Sequence, residues 1–311
     1  MGEILERVLV TGANGHLGRR LIERLLVEGR AGAVQALVRS ERAAALLEPL
    51  GGHGLLDVAI VDPADATALA ARCEPCSHAV HLAGILKETS ASRYVDAHER
   101  TSRALVAALE KSGVKRIAYL SILGARPDSE NRCLASKGRA EEILQRSKLP
   151  AVVLRVPMVL GRGDVATRVL AMRASAAFVL LSRGGASLEQ PIDVADVVEA
   201  ILRALVAPGL EGADLDLAGP ESLSRRDLVR RAASILGRQE PRIVSVPLPL
   251  VHLGAFLSET LFANPPLTLP MLGILEQDDR IDPRDACRRL GLELTPLDVT
   301  LRRCLLDAER A

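Results

Sequence analysis

Residues 7–18 read RVLVTGANGHLG. Val8-Leu-Val-Thr11 is a short apolar run that ends in a hydroxyl, the pattern of a buried strand. Gly12, Gly15 and Gly18 follow at three-residue intervals, and an apolar periodicity of helical type runs over 16–28. A strand that dissolves into glycines and re-forms as a helix has a specific physical use. Gly12 permits a tight exit from the strand. Gly15 lets the backbone approach a pyrophosphate, and Gly18 lets the helix pack closely. The helix N-terminus at 15–17 then offers unpaired N–H groups and the positive end of its dipole to phosphates. The same glycines also suit a ligand-free turn. Context favours the ligand: the pattern follows the first strand, opens a helix and heads a βαβ series. The loop therefore predicts a dinucleotide site built from Gly12, Asn14, Gly15, His16, Leu17 and Gly18.

Outward from the loop, strands are expected at 7–11, 34–38, 57–61, 78–82, 116–121 and 151–155. Helices are expected at 16–28, 41–48, 65–72, 92–112 and 135–147. Runs such as Ala79-Val-His-Leu-Ala83 and Ala151-Val-Val-Leu154 are nearly continuous in apolar residues, as in a parallel sheet covered on both faces. Alternation of this kind implies right-handed βαβ units and an α/β fold: a doubly wound, Rossmann-type parallel sheet. Beyond residue 156 the alternation loosens. A strand at 190–193 precedes a helix at 194–206, and a strand at 215–218 precedes one at 224–236. Ser224 and Asp227 stand as N-cap and N3 of that last helix. Residues 284–309 read as two short charged helices. The chain thus divides into a dinucleotide-binding domain at 1–165 and, at 166–311, the remaining sheet edge with a small C-terminal lobe.

Composition excludes several classes. Forty Lys and Arg balance thirty-nine Asp and Glu, and tryptophan is absent, so neither a basic surface nor a set of base-stacking rings points to nucleic acid. The N-terminus lacks the basic region and long apolar core of a signal peptide, and Glu6 breaks a myristoylation motif. No run of about 18 apolar residues predicts a transmembrane helix. The odd set of five cysteines (73, 76, 133, 287, 304) fits a reducing, cytoplasmic setting better than a disulfide framework.

The second strand ends Ala36-Leu-Val-Arg-Ser40. An acidic residue here would bind the ribose hydroxyls of NAD. Arg39, with Arg42 a turn later, suits a 2′-phosphate instead, so NADP is expected over NAD.

Taken together, TGANGHLG, HLAG at 81–84, YLSILGA at 119–125, SKGRAEEIL at 136–144, LRVPMVLGRGD at 154–164 and QPIDVADVVEAI at 190–201 resemble the atypical extended short-chain dehydrogenases, which are NAD-dependent epimerase/dehydratase-like. The nearest resemblance is to the group around the NADPH-binding accessory subunit of respiratory complex I and its bacterial relatives. It covers roughly residues 7–240. By position, the resemblance implies that Asp62 lies near the adenine and that Ala83, Gly84 and Val156 line the cofactor. His98 falls where the family has Asn or His. Lys137 matches the lysine that holds the nicotinamide ribose.

The chain departs from the family at the catalytic pair. Ser121 keeps the first serine position, but the second is Ile122. Cys133 stands where the family has its tyrosine, four residues before Lys137. A thiol beside a lysine can move a proton, so Lys137, Cys133 and Ser121 are the catalytic candidates. The favoured reading of Cys133 is nonetheless a small buried hydrophobe. The departures imply an accessory or assembly factor related to respiratory or quinone metabolism. The alternative is an NADP-dependent oxidoreductase or isomerase for an apolar, quinone-like substrate.

Two features stand outside this scheme. Cys73-Glu-Pro-Cys76 closes a helix instead of opening one and has no second CxxC, so it reads as structural and no metal is expected. Residues 246–275, from Val246-Pro-Leu-Pro-Leu through Phe256 to Leu275, are the most apolar stretch. They fit the core of a small lobe, a lid over an apolar small molecule, or a patch that docks on a protein partner or on the periphery of a membrane.

Overall fold

The computed structural model describes residues 4–306. The elements run β1 (Leu5–Thr11), α1 (His16–Val27), β2 (Ala31–Val38), α2 (Glu41–Ala45), β3 (Leu56–Ile60), α3 (Ala66–Cys73), β4 (His78–His81), α4 (Thr101–Leu109), β5 (Arg116–Ile122), α5 (Arg132–Gln145) and β6 (Ala151–Val156). They continue with β7 (Val159–Leu160), α6 (Val165–Ala174), β8 (Phe178–Ser182), β9 (Leu188–Glu189), β10 (Ile192–Asp193), α7 (Val194–Val206), β11 (Asp214–Asp216), β12 (Leu223–Ser224) and α8 (Arg225–Ile235). The last are β13 (Arg242–Val246), α9 (Leu248–Leu261), α10 (Leu269–Leu275), α11 (Arg284–Leu290) and α12 (Leu297–Leu306).

A seven-stranded sheet has the order β11-β6-β5-β4-β1-β2-β3. The β3-β2-β1-β4-β5 pairs are all parallel, in register Leu9↔Gln35 on one side of β1 and Leu9↔Ala79 on the other. The chain winds from β1 outward to β3 and then crosses back to β4. This reversal is what opens a crevice at the carboxyl ends of β1 and β4. Val8, Leu9, Val10, Ala79 and Val80 are completely buried, as strands covered on both faces must be. Helix α1 buries Gly18, Leu21, Ile22, Leu25 and Leu26, one stripe at 3.6-residue spacing. Each of its four large aliphatic side chains contributes about 1.5–3 kcal/mol of apolar burial. On the opposite layer Leu69, Leu105, Leu109, Tyr119, Leu144 and Val153 form one core cluster.

Two compact units result. One is the chain up to Arg155 together with Val198–Leu215; the other is Val156–Val197 together with the chain from Asp216 onward. In the second unit β8 and β13 pair in parallel, β7 and β10 in parallel, and β9 and β12 antiparallel. Its core joins Leu170, Leu181, Leu228, Val229, Leu301 and Leu305.

Helix α7 begins and ends where its periodicity predicts. Ser224 caps α8 by accepting from Asp227 N–H. Other bounds differ for local reasons. The helix expected over 41–48 stops at Ala45, and a 3₁₀ turn with Pro49 in its first turn runs over Glu48–His53. The helix expected over 92–112 opens with a π-helical turn at Val95–Arg100. Strands β7, β8 and β13 and helix α6 had no signal in the periodicity: β7 is two residues long, β8 five, and β13 buries none of its five residues.

Candidate functional site

The carboxyl ends of β1, β2 and β4 enclose a cavity of about 250 Å³. Its polar floor is Thr11, Gly12, Asn14 and Gly15, with Ala83 and Gly84 opposite. Leu37, Val38, Val61, Pro63, Leu69 and Leu105 give it an apolar end, and Arg39 stands at its rim. An apolar slot beside a glycine-rich helix start is the shape that a nucleoside with phosphates fills.

The three glycines are required for different reasons. Gly12 has φ +66°, and a Cβ there would lie 2.8 Å from Leu82 C and 2.9 Å from Ala83 N. A Cβ on Gly18 would meet Gly12 O at 2.5 Å and Ala13 O at 2.7 Å. The protein's own packing thus forbids a side chain at both. Gly15 is different. Its φ of −64° suits any residue, and a Cβ would meet just Gly12 O, at 3.1 Å. The open face of Gly15 borders the cavity, and as N-cap it gives no side chain to the first-turn N–H groups of α1. This cradle fits a pyrophosphate. His16 and Leu17 lie half-buried in the first turn of α1, outside the cavity wall.

Arg39 is exposed, with no hydrogen bond or ion pair among the described residues, so its guanidinium is available to a ligand. Asp62 lies between two wall residues, Val61 and Pro63. One oxygen of its carboxylate accepts from Ala64 N (2.9 Å) and holds the turn there. Val156 is buried at the end of β6.

Behind Ile85 the surroundings change. Lys137 is buried, and its Nζ donates to Leu120 O (3.0 Å) and sits 4.6 Å from the centre of the Tyr119 ring. Burial lowers its ammonium to about pKa 8, against the smaller opposing pull of Cys133 and Glu141. A Cβ on Gly84 would lie 3.1 Å from Nζ, so the bare glycine is what admits the lysine tip next to the cavity. His81 is hydrogen-bonded through Nδ1 to Thr11 Oγ1 (2.6 Å) and through Nε2 to Ser102 Oγ (3.1 Å). His98 Nε2 lies 3.1 Å from both the N and the O of Ile85. Burial and the nearby Lys137 hold both imidazoles down at about 3, so both are neutral at physiological pH.

Cys133 is completely buried at the start of α5, its Sγ directed at Ile85 O (3.8 Å). The neighbouring lysine was expected to bring this thiol toward neutrality. Burial outweighs it and pushes the thiol up to about 11. Ser121 also differs from expectation. Its hydroxyl donates to Glu141, which Arg155 grips from Nε (3.0 Å) and Nη2 (2.6 Å); Arg155 also reaches Asp214 (2.9 Å). The serine is part of this ion network, and it does not line the cavity. Both tyrosines are buried as well. Tyr94 donates to Leu86 O (3.0 Å), and Tyr119 stacks on His81 with centroids 5.2 Å apart.

Cys73 and Cys76 are free, buried thiols raised to about 12 and about 11, chiefly by desolvation. Among the described residues no group of three or more His, Cys, Asp or Glu is placed to hold a metal ion. Sequence reading missed the roles of Thr11, Tyr94 and Tyr119. Nothing in a strand's apolar pattern says that His81 will bridge β1 to α4, or that Tyr119 will lie under a lysine 18 residues later in the chain.

A doubly wound sheet with a glycine cradle at its switch point defines a dinucleotide-binding α/β protein. The chain belongs to the NAD(P)H-binding family, whose model matches residues 12–208. It is 29% identical over 275 residues to NADH dehydrogenase [ubiquinone] 1 alpha subcomplex subunit 9, mitochondrial, of Arabidopsis thaliana, across 86% of this chain and 67% of that protein. It is 26% identical over 242 residues to the ceramide reductase of Caulobacter vibrioides, across 78% of this chain and 74% of that enzyme. Among solved structures, a dTDP-glucose 4,6-dehydratase from Streptomyces venezuelae has the same fold, with a TM-score of 0.76 at 19% identity over 96% of each chain.

Proposed function

We propose that this protein binds NADP(H) and serves as an accessory or assembly factor in respiratory or quinone metabolism instead of turning substrate over. The observation that carries the reading is the contrast across Ile85. The phosphate cradle and Arg39 are open to a ligand, whereas the groups that would move a proton are occupied elsewhere. Ser121 is bound to Glu141, Cys133 is buried with its thiol raised, and Tyr94 and Tyr119 are buried. When bound, the dinucleotide would supply hydride chemistry. Gly12 and Gly15 would hold its pyrophosphate, Arg39 its 2′-phosphate, and Lys137, reached past Gly84, its nicotinamide ribose. The subunit named in the plant relative supports a role beside a protein partner, and the five free cysteines suit a reducing compartment.

Two observations favour an enzyme. Lys137 is held at about pKa 8, where a lysine can share a proton near neutrality, and one relative is a ceramide reductase. Two measurements test the proposal, the first its cofactor and the second its accessory role. Titration calorimetry of Arg39→Ala should show NADPH affinity down tenfold or more, the loss expected for a charge-assisted phosphate contact of about 1.5–3 kcal/mol, with NADH affinity nearly unchanged. Equal loss for both cofactors would refute the NADP assignment. The wild type should also show no NADPH oxidation above background with a panel of ketones, aldehydes, quinones and ceramide precursors. Turnover that disappears in Cys133→Ala would overturn the accessory role.

A further inference from the structure

The chain has three phenylalanines and no tryptophan. All three phenylalanines are in the second unit and more than half exposed: Phe178 at 62%, Phe256 at 52% and Phe262 at 58%. A fold that seals its core with leucine, valine and alanine has left its bulkiest apolar rings in water.

Their placement is ordered. In the β8–β13 ribbon, Phe178 pairs with Arg242 and Leu180 with Val244. Alternation turns Val179 and Leu181 into the core and leaves Phe178, Leu180 and Val244 exposed together on the other face. Pro247 alone separates β13 from α9. Helix α9 turns Ala255 and Ser258 inward and Leu250, Leu253, Phe256, Leu257 and Leu261 outward. That stripe has helical spacing, with the large apolar groups on the solvent side.

Charge follows the same plan. Helix α9 contains no Lys or Arg, and its one acid, Glu259, accepts from Leu269 N (2.6 Å). Arg242, on the Phe178 face of the ribbon, and Arg183, just past β8, are both exposed. Neither guanidinium has a hydrogen bond or ion pair among the described residues. Exposed large apolar side chains accompanied by unpaired cations match the acyl–headgroup boundary of an anionic bilayer. A specific protein interface needs about one hydrogen bond per 100–200 Å², and besides its large apolar groups the outward side of α9 exposes only His252 and Thr260, whose hydroxyl already donates to Leu257 O. At 14 residues, α9 is about 21 Å long, short of a bilayer core of roughly 30 Å, and no helix among the described residues is long and apolar enough to cross a membrane.

We propose that β8, β13 and α9 form a docking face for an anionic phospholipid surface, on which α9 lies in the plane of the interface while Arg183 and Arg242 meet lipid phosphates. This goes beyond the dinucleotide reading and does not depend on it, since the glycine cradle belongs to the other unit.

Co-sedimentation of the full chain with vesicles of phosphatidylcholine containing one-third phosphatidylglycerol tests it. The chain should pellet with these vesicles, much less with pure phosphatidylcholine, and less at raised salt. Phe178→Ser and Phe256→Ser should each weaken partitioning about tenfold, the loss expected for one exposed ring that no longer inserts. Arg183→Gln with Arg242→Gln should remove the preference for anionic vesicles. Unchanged thermal melts by circular dichroism would show that the variants are folded, and NADPH titration of the same variants reports the other site separately. A folded chain that stays in the supernatant with both vesicles would overturn the proposal. So would vesicle binding indifferent to these substitutions, or a self-associated species in sedimentation velocity that the Phe→Ser changes dissolve.

Discussion

At the carboxyl end of β1 the backbone is bare, with Gly12 and Gly15 facing a cavity and Arg39 unpaired at its rim. Around Lys137 most polar groups are bonded to the protein itself, with the Tyr119 hydroxyl and His98 Nδ1 as buried exceptions. The lysine is bonded to Leu120 O, His81 to Thr11 and Ser102, His98 to Ile85, and Ser121 to Glu141. The first region keeps unsatisfied donors in contact with solvent, where water or phosphate can satisfy them at little cost. The second buries its polar groups, so each needs a protein partner or must become neutral. The difference teaches that two neighbouring regions of one fold can follow opposite rules: the glycine cradle stays open while the groups behind it are absorbed into packing.

The comparison breaks most directly at Gly15. A side chain there disturbs the protein less than one at Gly12 or Gly18, because φ is −64° and the single close atom, Gly12 O at 3.1 Å, need give way by only a few tenths of an ångström. Gly15→Val should therefore stay folded, at about 1 kcal/mol for a poor N-cap. It should weaken NADPH and NADH binding alike by roughly a thousandfold, since the side chain takes the place of the pyrophosphate. Calorimetry on a variant with a native far-ultraviolet spectrum checks this, and retained affinity would reduce the loop to a turn.

Acid should act on the sealed half. His81 and His98 have pKa values near 3 in the folded chain and about 6.5 when unfolded. Between those values the unfolded state binds protons that the native state refuses, so stability falls as the pH drops from about 6.5 toward 3. At pH 5 each histidine should cost about 2 kcal/mol. Urea melts at pH 7 and pH 5 measure the loss, and His81→Asn should shrink it. An unchanged difference in that variant would show that His81 is not buried neutral.

The smallest effect is expected at Cys133. If this residue only fills space behind Ile85, Cys133→Ala should lower stability by about 1 kcal/mol and leave cofactor affinity unaltered. A changed NADPH affinity would mean that the thiol reaches the bound dinucleotide and that the two halves are still joined.

Much of the fold was readable from local pattern. The strand–glycine–helix run at 7–18, the apolar strands over the first 156 residues and the helix at Val194–Val206 are fixed by periodicity and turn chemistry, which act between near neighbours in the chain. The identities of Ile122 and Cys133, on which the resemblance departs from its family, were likewise plain in the sequence. The state of the groups behind Ile85 was not readable. Ser121 meets Glu141, Lys137 lies over Tyr119, and Cys133 points at Ile85 through contacts spanning 18 to 48 residues of chain. A thiol next to a lysine promised a lowered pKa from sequence, and burial reversed the sign. Desolvation depends on how many atoms the whole fold packs around a group, and only the tertiary structure sets that number. The apolar stretch at 246–275 carries the same lesson. Its composition is in the sequence, but which side of α9 faces outward was decided by the packing of Ala255 and Ser258.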